Sequence, residues 1–70
     1  DDNNNVLNGN IITENTKNCL INSENQLVAT IGIENLIIVN QRDAILIANR
    51  DNSQDVKKIL NKIEIEQQKK

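Results

Sequence analysis

Five apolar residues stand nine positions apart in this chain: Ile11, Leu20, Ala29, Ile38 and Ile47. Each is the middle of a short triplet, such as Asn10-Ile11-Ile12, Cys19-Leu20-Ile21 or Ile37-Ile38-Val39. Polar, turn-prone stretches such as Asn22-Ser23-Glu24-Asn25-Gln26 separate them. A fixed register over most of a small chain means one structural unit repeated, with each copy burying its face on the next. On this reading the five residues form the core of a stacked β scaffold. Two architectures fit the register. One is a β-solenoid in which two nine-residue steps make a turn of about eighteen residues. The other is an antiparallel meander, because turn signals every 8–12 residues suit that as well. The constant step favours the solenoid, since a meander varies its loop lengths.

The β part is expected over residues 1–50. Val6 and Leu7 read as a short edge strand, and Asn8-Gly9 and Gly32 as tight turns or close backbone approaches. The apolar runs at residues 27–33 and 36–39 are expected to be the most buried strands. After Arg50 the period changes: Val56, Ile59, Leu60 and Ile63 follow the i, i+3, i+4, i+7 spacing of an amphipathic helix, expected over residues 51–66. Asp51, Asn52 and Ser53 are N-cap candidates, Asp55 lies in the first turn, and Lys69 and Lys70 lie past the far end. Residues 67–70 read as a frayed tail or linker. The apolar stripe needs a surface: the last β coil, a neighbouring domain, or the same helix in a second copy.

The hydrophobic fraction is 37%, built from Ile, Leu, Val and Ala with one Cys and no aromatic residue. So small a core is marginal in seventy residues, and a neighbouring domain or second copy is expected to cover part of it. The chain starts at Asp1 without Met, and is expected to be cut from a longer protein. It has no apolar run of membrane-spanning length and no signal-peptide pattern. Cys19, alone and inside an apolar triplet, reads as a small core residue in a reducing compartment. The net charge of −2 and the missing aromatic rings argue against nucleic-acid binding. The abundance of Asn, Ile and Lys reads as codon bias, with no function attached.

Catalytic equipment is sparse. There is no His, which removes the usual general base and the commonest metal ligand, and one Cys excludes a thiolate zinc site. Gly9 and Gly32 are isolated, so no glycine-rich phosphate loop exists. Asp1 and Asp2 with Asn3, Asn4 and Asn5 lack the glycine and distal glutamate of a calcium loop. The polar pairs Ser23-Glu24 and Arg42-Asp43 sit at turns, where stabilising the turn is the expected role. No catalytic, cofactor-binding or metal-ligating residue is assigned. The helix face Val56, Ile59, Leu60 and Ile63 is the candidate interaction site.

One resemblance runs through residues 1–62. Asn5-Val6-Leu7-Asn8-Gly9-Asn10-Ile11-Ile12, then Ser23-Glu24-Asn25-Gln26-Leu27-Val28-Ala29-Thr30-Ile31-Gly32, then Asp43-Ala44-Ile45-Leu46-Ile47-Ala48 and Gln54-Asp55-Val56-Lys57 resemble, in order, a stretch of bacterial mannose-1-phosphate guanylyltransferases. Asn40-Gln41 and Asn10 depart from that family's usual residues, at strand ends or turns. The resemblance implies a mainly β fold, a short left-handed β-helix-like solenoid ending in a C-terminal α-helix. It implies a parent cytoplasmic nucleotidyltransferase that makes GDP-mannose from GTP and mannose-1-phosphate with a divalent metal, usually magnesium. Many such parents also carry a phosphomannose isomerase domain. The family's catalytic residues lie in a separate domain, and none maps onto this chain. The implied role is a non-catalytic scaffold whose partners are its own catalytic domain and a second copy, with no nucleic acid and no membrane; the alternative reading is a free-standing β-solenoid binding or interaction module.

Overall fold

The computed structural model describes residues 2–41 and 44–68. The pair Arg42-Asp43, Asp1 of the calcium-loop comparison, and Lys69 and Lys70 lie outside the described residues. Six strands precede the helix: β1 (Val6–Asn8), β2 (Ile11–Glu14), β3 (Leu20–Ser23), β4 (Val28–Ile31), β5 (Leu36–Gln41) and β6 (Ala44–Asn49). They form two sheets, one ordered β1-β3-β5-β6 and one of β2 and β4. All pairs among β1 to β5 are parallel, and an isolated parallel bridge joins Lys17 to Glu34 on a third side. The chain therefore coils as a solenoid. β6 then folds back antiparallel on β5, with Ile38 opposite Ile47 and Gln41 opposite Ala44. The solenoid reading holds through β5, and the meander alternative survives as this one terminal hairpin.

The register corrects the nine-residue step. Val6 pairs with Leu20, fourteen residues on, while Leu20 pairs with Ile37 and Ile11 with Val28, each seventeen on. After a first step of fourteen, a full coil is thus seventeen residues where the sequence pattern suggested eighteen. Because side chains alternate along a strand, a slip of one residue moves a side chain to the other face. Ala29 lands outside for that reason, and Val28 takes the inner place. The buried apolar residues are Cys19, Ile21 and Ile38, the first two fully enclosed, with Ile11, Val28, Ile33 and Leu36 packed against them. Along the chain the inner positions Ile11, Ile21, Val28 and Ile38 advance by ten, seven and ten. Of the five residues expected to form the core, Ile38 is buried and Ile11 packs against the core. Leu20 is half-buried beside Ile21, and Ala29 and Ile47 are exposed.

Of the two runs expected to be most buried, residues 36–39 are so within β5, while residues 27–33 differ. β4 alternates half-buried with exposed residues, and Leu27 and Ile31 stand out in solvent. β3 carries more buried positions because it lies between β1 and β5 and faces the second sheet. Leu7 pairs with Ile21 and Val6 with Leu20, so Val6 and Leu7 do form the edge strand expected of them.

The corners are built by asparagine. Asn4, Asn15, Asn18 and Asn35 all have φ between 54° and 62°, a left-handed conformation that costs most L residues about 1–2 kcal/mol but that Asn tolerates. Asn15 and Asn18 recur seventeen residues later as Gly32 and Asn35, so each coil turns through two left-handed residues three apart. The side chains stack as well: Asn18 Nδ2 donates to Asn35 Oδ1 at 3.0 Å. Inside, Asn5 donates to the Thr16 carbonyl (2.7 Å) and accepts from the Cys19 amide (2.9 Å). Asn40 likewise donates to Ser23 Oγ and Gln26 Oε1. No buried side-chain nitrogen or oxygen among the described residues lacks a partner.

The equivalence of Asn15 and Gly32 carries a prediction. Gly32 has φ +64°, and nothing lies within 4 Å of where a Cβ would sit. Gly32→Asn is expected to change stability by less than about 0.5 kcal/mol or to raise it, since Asn holds the same conformation with less unfolded-state freedom. Gly32→Ala is expected to cost about 1 kcal/mol. Urea midpoints of the two variants check the ordering.

Candidate interaction surface

Where the helix begins is set by the last asparagines of the corner. A 3₁₀ segment, Arg50–Asp55, leads into helix α1 (Val56–Gln68). The cap is Asn49, which leaves β6 in an extended conformation and accepts from the Asp51 amide at 2.8 Å. Asp51, Asn52 and Ser53, the expected caps, lie inside the 3₁₀ turn, because the chain leaves the strand before reaching them. Asn35 Nδ2 donates to Asn49 Oδ1 (3.1 Å) and Asp51 Oδ2 (3.2 Å), and Arg50 Nη1 donates to Asn18 Oδ1 (3.0 Å). The Arg50 amide donates to the Asn35 carbonyl (2.8 Å). These bonds fasten the helix entrance to the corner of the last two coils. The α-helix runs through Gln68, two residues beyond the expected end at 66, while Asp55 precedes it and pairs with Lys58 at 3.5 Å.

The helix lies over the outer face of the terminal hairpin. Parity decides this. Ile38 and Asn40 of β5 point into the solenoid, so Val39 and Gln41 point out, together with their partners Leu46 and Ala44. Val56, Leu60 and Ile63 face these four residues across an open groove of about 650 Å³, with Glu64 and Gln67 at its rim. Ile59 borders a smaller cleft with Leu46, Ile47 and Ala48. Val56 and Ile63 are half-buried, whereas Ile59 and Leu60 remain 39% and 48% exposed. The four residues of the helix stripe are therefore brought together, but their covering is incomplete. Sequence reasoning missed the sheet side of this groove. Val39 and Leu46 give no signal of outward placement until the hairpin fixes their parity.

For chemistry the described residues offer little. No three His, Cys, Asp or Glu side chains gather where a metal could bind. Ser23 is buried, its hydroxyl donating to the Gln26 carbonyl and accepting from Asn40, and the Glu24 amide donates to the Asn40 carbonyl at 3.1 Å. That pair closes a turn, as its position suggested. Cys19 is enclosed, with its thiol donating to the Lys17 carbonyl. Among the described residues, no helix is long and apolar enough to cross a membrane.

Residues 9–63 match the family model described as the MannoseP isomerase/GMP-like beta-helix domain. The chain belongs to this β-helix family. Several of its relatives carry one enzyme name. A mannose-1-phosphate guanylyltransferase of Klebsiella pneumoniae is 55% identical over 58 residues, covering 83% of this chain and 12% of the relative's length. One from Escherichia coli is 57% identical over 54 residues, covering 77% of this chain and 12% of its own length. The alginate biosynthesis protein AlgA of Pseudomonas putida is 40% identical over 60 residues, 86% of this chain and 12% of that protein. Among solved structures, the crystal structure described as mannose-1-phosphate geranyltransferase from Thermus thermophilus superposes with a TM-score of 0.80 at 26% identity. The superposition covers 91% of this chain and 20% of that one. This β-helix chain thus spans about an eighth of the length of the curated relatives it matches. The matched region ends at Ile63, so the first two turns of α1, and with them all four stripe residues, belong to the β-helix family unit and are not an appendage to it.

Proposed function

We propose that this chain is the scaffold and assembly module of a cytoplasmic mannose-1-phosphate guanylyltransferase, the enzyme that forms GDP-mannose from GTP and mannose-1-phosphate. The observation that carries the reading is the 55% identity to a protein of that name across most of the chain. The physical role follows from what the module contains. Its polar groups are spent on corners, turns and the helix entrance, and it gathers no set of metal ligands among the described residues. On this reading the divalent metal and GTP of the parent are held by the remainder of the polypeptide. A solenoid stiffened by side-chain ladders instead holds its neighbours at a fixed spacing.

The assembly role falls to the groove between α1 and the terminal hairpin. Ile59 and Leu60 expose apolar surface in the middle of the helix, and burying a Leu contributes about 1.5–3 kcal/mol. Leu60→Asp in the full-length protein is expected to weaken the contact this face makes, with the catalytic domain or a second copy, by at least about tenfold. Sedimentation velocity reads a second copy, and limited proteolysis between the domains reads the catalytic domain. Identical behaviour of variant and wild type in both measurements would remove the assembly role.

A further inference from the structure

The two sheets are unequal. One has four strands and the other only β2 and β4, so no strand among the described residues lies across from β5 or β6. The consequence is visible in two neighbouring isoleucines. Ile38 and Ile47 are direct partners across β5 and β6 and point to the same face, yet Ile38 is 7% exposed and Ile47 63%. Ile45, opposite buried Asn40, is 60% exposed. The inner face of β6 therefore continues the solenoid core past its last coil with nothing beneath it among the described residues.

The strand bordering that gap is β4, and it has an open edge. The Val28 amide donates to the Asn10 carbonyl and the Gly32 amide to the Glu14 carbonyl, both at 3.0 Å, so the even-numbered residues of β4 bond to β2. By alternation, the amides and carbonyls of Ala29 and Ile31 point to the side where no described strand lies. Exposed sheet edges are normally blunted by Lys, Pro or a bulge. The run Leu27-Val28-Ala29-Thr30-Ile31-Gly32 has no charge and no proline. One further strand at the usual spacing of about 4.8 Å from β4 would pair with Ala29 and Ile31, stand across from β5, and shield the near side of Ile45 and Ile47 on β6.

We propose that this slot is filled by an extended, uncharged segment of the parent polypeptide from outside these seventy residues, added parallel or antiparallel to β4 with apolar side chains toward Ile45 and Ile47. The inference rests on reading the chain as a module of a longer guanylyltransferase. The matched stretch is only 12% of the curated relatives' length and 20% of the solved relative's chain, so ample polypeptide is tethered nearby at high effective concentration. A second whole solenoid fits less well. Stacked end-on it would abut β6, which extends one strand beyond β5, and would leave the place beside β4 empty.

The test is hydrogen exchange, resolved to single amides by mass spectrometry, on the full-length protein. The amides of Ala29 and Ile31 are expected to exchange at least about 100-fold more slowly than unstructured amides, unchanged over a wide protein dilution. Ile47→Asp is expected to abolish that protection while the amides of Ile21 and Ile38 stay protected. Fast exchange of Ala29 and Ile31 in the wild type overturns the proposal, as does protection that Ile47→Asp leaves intact. Protection lost on dilution assigns the slot to a second copy and overturns it too. Guanylyltransferase activity of the same preparation separates the two readings. An active enzyme with an open β4 edge overturns only the strand docking, and an inactive one overturns the module assignment on which it rests.

Discussion

Replacing Gly9 with alanine is expected to cost about 3–5 kcal/mol, enough to leave so small a β scaffold largely unfolded. Two effects add at this position. Gly9 has φ +113°, a conformation rare for residues with a side chain. Its missing Cβ is also replaced in space by backbone: an added methyl would overlap the Ser23 carbonyl oxygen and press on the Ser23 nitrogen and carbon. Ser23 is in no position to yield. It ends β3, pairs with Asn40 of β5, and its hydroxyl is held by Gln26 and Asn40. Gly9→Asn separates the two causes. Asn tolerates the left-handed region near the 54–62° of the four Asn corners, so at φ +113° a purely conformational cost would shrink with Asn without vanishing. A clash with Ser23 predicts that Asn is as damaging as Ala. Urea denaturation of both variants beside Gly32→Asn reads the difference directly, because only Gly9 has backbone in the way.

Some of this was legible in the sequence. Repetition, the β class, the edge strand at Val6 and Leu7, the burial of Cys19 and the change of period at the helix all follow from side-chain type and spacing. Both glycines stand out in the sequence as special, but which one touches backbone depends on how coils stack, which no local pattern carries. The nine-residue step misled because the coil is seventeen residues: its halves are unequal, and an apparent step of nine drifts across the two faces of each strand. Asparagine was the larger omission. Its abundance read as codon bias, yet Asn15-Thr16-Lys17-Asn18 and Gly32-Ile33-Glu34-Asn35 repeat a left-handed pair at the coil period. Asn or Gly recurs seventeen apart at these corners, but also at Asn5 and Asn22 and at Asn8 and Asn25, none of which is left-handed. On the helix, the stripe Val56, Ile59, Leu60 and Ile63 was readable from spacing, while its sheet partners Val39, Ala44 and Leu46 were not. They depend on β6 pairing antiparallel with β5, which no local pattern carries.

Ile21→Ala is the substitution that most sharply separates the true core from the apparent one. Ile21 is completely enclosed, stands between Leu7 and Ile38 in the sheet, and belongs to the cluster against which Ile11, Val28, Ile33 and Leu36 pack. Truncating it removes three carbons and leaves a cavity between two sheets that hydrogen-bonded ladders prevent from closing. The expected loss is about 3–4 kcal/mol. Ala29→Ser, at a position the nine-residue step counts as core, is expected to change stability by less than about 0.5 kcal/mol because the side chain faces outward. Ile12→Ala, on the exposed side of β2, is expected to be comparably mild. Urea midpoints with an unchanged denaturant slope check all three. The reverse order, with Ala29→Ser severe and Ile21→Ala mild, would shift every strand by one residue. The helix would then lie against the inward face of β5 and β6 and lose its groove, and the exposed Ile45 and Ile47 would no longer extend the core. The register at Ile21 therefore fixes both surfaces through which this module meets the rest of its protein.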